Sequence, residues 1–82
     1  MWRLVVPKSV LKSLDKIPTH DRIRILEVIN EIGANPFGGD IKKLEGHGYR
    51  RRSGSYRILY EVARKERIVE IRDVVRRTST TY

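Results

Sequence analysis

An 82-residue chain without cysteine has room for one domain with a thin core, and it has neither disulfides nor thiolate metal sites to staple that core. Eighteen lysines and arginines against ten acids give a formal charge of +8, a field that favours polyanions such as nucleic acid, an acidic protein or an anionic membrane. No stretch approaches the length of a membrane span, and the N-terminal apolar run, broken at Pro7, is too short for a signal peptide, so no membrane partner and a cytoplasmic location are expected. Arginine outnumbers lysine twelve to six, and arginine grips phosphate bidentately where lysine acts as a point charge. His20, His47 and scattered carboxylates show no metal-ligand spacing, and no metal or cofactor is expected.

In chain order, Trp2 to Val6 reads as a short buried strand. Pro7 suits the first turn of a helix, along which Val10, Leu11, Leu14 and Ile17 follow at helical spacing and leave Lys8, Lys12 and Lys16 on the other side. Pro18 ends it. Thr19 is placed to cap a second helix, with Ile25, Ile29 and Ile32 on one face, Leu26 widening the stripe and Gly33 as the stop. A loop around Asn35-Pro36-Phe37-Gly38-Gly39 follows. The period then changes from helical to alternating. Tyr49 to Ser53 reads as a strand turned back through Gly54-Ser55 into a second one, whose Tyr56, Ile58, Tyr60 and Val62 share a face. After a polar turn at Ala63-Arg64-Lys65-Glu66, Ile68 to Val74 is a third, central strand. The expected fold is α+β in the order β-α-α-β-β-β, an antiparallel sheet with a two-helix hairpin packed on one face, and residues 1–82 form a single domain.

Hairpin register points to a function. With Gly54-Ser55 as a two-residue turn, Ser53 pairs with Tyr56 and Arg52 lies opposite Arg57, while Arg50 shares their face. Directly opposed like charges destabilise a sheet, so three arginines on one face without an acidic neighbour indicate an anionic ligand. The competing explanation is a solvated outer face, where such residues are common. Arg51 has the opposite parity and points toward the helices, where an apolar residue would be expected.

The run Tyr49-Arg50-Arg51-Arg52-Ser53-Gly54-Ser55-Tyr56-Arg57-Ile58-Leu59-Tyr60 resembles the Tyr-Arg-x-Arg-x-Gly-x-Tyr-Arg-φ-φ-Tyr signature (φ apolar) of the RelE/ParE toxin superfamily. Lys43-Leu44-Glu45-Gly46 resembles the Lys-Leu-x-Gly that precedes it, and Arg76-Arg77 with Tyr82 resembles the C-terminal end of the ribonuclease branch. The likeness spans essentially the whole chain. It implies the toxin of a type II toxin–antitoxin system, an endoribonuclease that cuts messenger RNA on the ribosome by attack of the ribose 2′-hydroxyl on its own 3′ phosphate. By the same resemblance the catalytic set is Arg50, Arg52, Arg57, Arg76 and Tyr82, with Arg51, Arg77, Lys42 and Lys43 as further RNA contacts. The implied partners are the ribosome, mRNA and an acidic RelB-like antitoxin, through which the complex binds its own operator DNA.

One departure has chemical consequences. The family often carries lysine where Arg50 and Arg52 stand, and a guanidinium, unlike an amine, does not serve as a general base. Tyr82 or His47 could take that role, or the reaction could run on electrostatics alone. Three other activities fit the same residues: a ParE-like inhibitor of DNA gyrase, a non-catalytic nucleic-acid-binding module, and a toxin without activity that only forms a complex with its antitoxin.

Overall fold

The computed structural model describes residues 1–76, which form β1 (Arg3–Val5), α1 (Lys8–Asp15), α2 (Thr19–Ala34), β2 (Ile41–Lys43), β3 (Gly48–Ser53), β4 (Tyr56–Ala63) and β5 (Ile68–Arg76). One sheet holds all five strands in the order β1-β5-β4-β3-β2. Its pairings are antiparallel except at β1, which runs parallel to β5 with Leu4 beside Val69. Both helices lie on one face. The α+β expectation therefore holds, with one additional strand and one parallel edge.

The two periodicities explain why the core sits between the layers. Val10 and Leu14 of α1 and Ile25, Ile29 and Ile32 of α2 point at the sheet. Tyr56, Ile58, Tyr60 and Val62 of β4 and Val69, Ile71 and Val74 of β5 meet them from below. Burying one such aliphatic side chain contributes about 1.5–3 kcal/mol, so this single interface supplies most of the stability of so short a chain. No helix among the described residues is long and apolar enough to cross a membrane.

Several local expectations are corrected. Thr19 is the first residue of α2 and caps nothing; Pro18 occupies the N-cap position with no side-chain hydrogen bond, and Thr19 Oγ1 accepts from Arg22 instead. Gly33 does not stop the helix. It packs against Leu4 of β1, and a Cβ there would sit 3.1 Å from Leu4 Cδ2. The helix ends at Asn35, whose N–H still donates to the Glu31 carbonyl and whose side chain turns the chain by accepting from the Phe37 N–H. Leu26 is 42% exposed and adds nothing to the buried stripe. Strand β2 was not anticipated, because three residues, two of them lysine, carry no readable alternation.

Tyr60 ties the loop after α2 to the sheet. Its buried hydroxyl donates to the Pro36 carbonyl at 2.5 Å, and burial pushes its pKa up to about 12, against a smaller opposing pull from Arg51. The folded state thus holds the proton more tightly than the unfolded chain, whose tyrosine titrates near 10. Stability from this group is complete below pH 10 and is lost as pH rises through 12. The difference in melting temperature between wild type and Tyr60→Phe should accordingly shrink between pH 10 and 12; a constant difference would show that Tyr60 does not titrate with unfolding.

Candidate functional site

The β3–β4 hairpin takes the register that its turn chemistry dictates. Ser53 pairs with Tyr56 and Arg52 lies directly opposite Arg57. Gly54 has a φ of 57° while Ser55 does not enter the positive region, the pattern of a type II′ turn. Arg50 lies opposite Leu59 on the same face, and β2 adds Lys42 beside Arg50. Lys42, Arg50, Arg52 and Arg57 thus form one continuous basic floor on the side of the sheet away from the helices.

Arg50 and Arg57 are each half-buried, and the Nε of each is fully buried without a hydrogen-bond partner. A buried donor left unpaired costs about 1–3 kcal/mol. On a face with two opposed arginines, this is an arrangement that an anion could relieve. Two carboxylates share this face at its edge, Asp73, which lies opposite Leu59 and accepts from the Val74 N–H, and the exposed Glu61, diagonal to Arg50. None of the floor cations is in an ion pair among the described residues. Leu59 and the 41% exposed Val75, which pairs with Arg57, complete the floor as apolar ground between the charges. Alternation along β4 already puts Leu59 on the face of Arg57, but sequence reasoning missed Val75, because the skipped Arg72 reverses the parity of β5 before it.

Other residues expected at the site lie elsewhere. Arg51 faces the helices, where its guanidinium bonds Glu31 of α2 at 2.6 Å and the Gly38 carbonyl at 3.3 Å. It clamps α2 to β3 and is not placed to contact a ligand on the floor. Lys43 pairs with Tyr49, on the helix side, and its amine donates to the Gly46 carbonyl at 2.8 Å. Arg76 pairs with Tyr56, so register carries it to the helix side as well, at the end of β5. His47 is exposed in the β2–β3 turn, and its carbonyl accepts from Val62 N–H, five residues along β4 from Arg57. That is roughly 17 Å at the rise of a strand, too far for His47 to act as a base on a phosphate held at Arg57. Arg77 and Tyr82 lie outside the described residues.

A floor of fixed guanidinium groups has a clear chemical capacity. It can hold a phosphodiester and stabilise charge that builds on the non-bridging oxygens during attack. Its guanidinium groups do not serve as a general base.

No family model matches the chain. A curated protein of Methanocaldococcus jannaschii that carries the name toxin RelE1 is 36% identical over 81 residues, which cover 93% of this chain and 90% of that protein. The chain belongs to the RelE family of toxins. Among solved structures, the RelE of the archaeal RelE–RelB complex from Pyrococcus horikoshii is 30% identical, with a TM-score of 0.85 over 96% of this chain and 98% of that one. The RelB–RelE antitoxin–toxin complex from Methanococcus jannaschii contains a chain 33% identical, with a TM-score of 0.70 over 89% of each. Within this RelE chain the hairpin that carries the superfamily signature is also the one that builds the floor, so the motif and the geometry fall on the same strands.

Proposed function

We propose that this RelE toxin is an endoribonuclease that cuts messenger RNA by driving a ribose 2′-hydroxyl onto its adjacent phosphate. The observation that carries this reading is the basic floor, with the buried, unpartnered Nε atoms of Arg50 and Arg57. Arg57 grips the scissile phosphate, and Arg50 and Arg52 stabilise the charge that develops on it. Lys42 extends the track for the neighbouring backbone. Holding the 2′-hydroxyl in line supplies much of the rate, and the products are a 2′,3′-cyclic phosphate and a 5′-hydroxyl. The roles of Arg76, Arg77 and Tyr82 rest on the family resemblance alone.

A phosphate gripped by guanidinium groups, which do not serve as a general base, fits a reaction that depends on the ribosome to order the substrate. Purified protein added to a translating extract should cut mRNA within the ribosomal A site and leave 5′-hydroxyl ends, whereas naked RNA should be cut slowly or not at all. Intact message alongside poisoned gyrase would transfer the assignment to the ParE branch. Intact message and active gyrase would leave a binding module.

The partner in this reading is an acidic antitoxin of the RelB kind. Two of the similar structures are complexes of RelE with RelB. In this chain the exposed Lys8, Lys12 and Lys16 repeat like charge at i, i+4 along α1 and its end, which disfavours that helix alone and would be relieved by acidic cover. The same cover over the floor would silence cleavage, and operator DNA would be bound through the antitoxin.

A further inference from the structure

At the end of the sheet away from Gly54, a second set of cations lies along a row of aromatic rings. Trp2, Phe37 and Tyr49 follow one another edge to face, with centroids 5.7 and 5.6 Å apart. Arg67 stands over Trp2 at 4.6 Å from the ring centroid, Arg64 over Phe37 at 4.4 Å, and Lys43 over Tyr49 at 5.4 Å. The rings are buried or half-buried and the three cations are exposed. Arg64 also donates to the Tyr49 hydroxyl at 3.3 Å. None of the three is in an ion pair among the described residues, and the exposed Glu45 and Glu66 of the adjoining turns engage neither arginine.

Arg67 has a φ of 60°, the only non-glycine residue in the left-handed region among those described. Glycine or asparagine would sit there with less strain, and strained positions of this kind cluster where a side chain is needed for function. Stacking on an aromatic face fixes the guanidinium plane while its N–H edge remains free for bidentate contact.

This row is separate from the floor. Arg64 is seven residues beyond Arg57, roughly 24 Å at the rise of a strand, and it is on the opposite side of the sheet. Lys42 and Lys43 are consecutive but face opposite sides of β2, and one phosphodiester cannot touch both Arg57 and Arg64. We propose that Lys43, Arg64 and Arg67 form a second nucleic-acid-binding surface that grips the sugar–phosphate backbone of double-helical RNA. The covered rings select the ligand. Single strands are bound by stacking bases on open aromatic faces, and here cations already occupy those faces. What remains is charge aimed at a backbone, which suits duplex RNA recognised by shape. The inference builds on the RNA-directed reading above but does not need cleavage.

The test titrates the full chain with an RNA duplex of about 16 base pairs and with a short single strand, across a range of salt. R64Q/R67Q should weaken duplex binding at least roughly tenfold and lower the slope of log affinity against log salt by about two, one per lost phosphate contact. Single-strand binding, held by the floor, should change little. R64K/R67K keeps the charge and should recover most of the slope, which separates loss of charge from loss of packing on the rings. Wild-type duplex affinity in R64Q/R67Q would overturn the proposal, as would an equal fall for duplex and single strand. Unchanged duplex binding with loss of an acidic protein partner would make the row a protein-docking surface instead. Active wild-type binding of duplex without any message cleavage would support this surface while removing the ribonuclease reading.

Discussion

Replacing Arg57 with alanine should slow message cleavage roughly 10²- to 10³-fold, the loss expected when a preorganised donor to a developing oxyanion is removed. Arg57 is on β4, an inner strand of the sheet, directly opposite Arg52, and its buried Nε has no protein partner. No ion pair among the described residues uses its charge, and in the proposed mechanism the phosphate does. The same change removes a directly opposed like-charge pair, a contact that destabilises a sheet by about 0.2–1 kcal/mol. Melting temperature should therefore hold or rise by a few degrees while activity collapses. Arg57→Lys separates charge from geometry, since an ammonium cannot make the bidentate contact. Cleavage that survives Arg57→Ala would remove the proposed floor from the mechanism. Arg76, carried by register to the helix side, should matter less than Arg57 in the same assay.

The hairpin was legible in the sequence because turn chemistry and period-2 alternation both bear on it. Gly54-Ser55 fixes the register, and the register alone sets Arg52 against Arg57. The helices were legible through Ile25, Ile29 and Ile32, whose spacing leaves one choice of buried face. Failures occurred where a long-range contact overrode a local signal. Gly33 looked like a stop, but the approach of Leu4 from a distant strand decides its role. Parity already turned Arg51 toward the helices, but only α2 reveals that Glu31 answers it. The face of Arg76 depends on an irregularity between Leu59 and Tyr60, where Asp73 and Ile71 are successive partners and Arg72 is skipped. No one-sequence alternation can reveal that extra residue, which reverses the parity of everything after it. The aromatic row was hidden for the same reason, since Trp2, Phe37 and Tyr49 come from three separate segments.

Ile71→Ala should lower the stability of the isolated chain by about 2–5 kcal/mol, the range for truncating a buried isoleucine that leaves a cavity behind. Ile71 is fully buried on β5, the strand between β1 and β4, and both helices pack against that strand. A short chain has little else to collapse into the space. For a domain of this size each kcal/mol corresponds to roughly 4–8 °C, so the variant should melt at least about 10 °C lower. Val75 provides the control within the same strand. It points to the open face beside Arg57 and is 41% exposed, so Val75→Ala should stay within about 0.5 kcal/mol of wild type. Denaturant unfolding of the two variants measures both values. Equal losses would mean that the two faces of β5 are not core and floor, and the separation on which the binding site depends would fail with them.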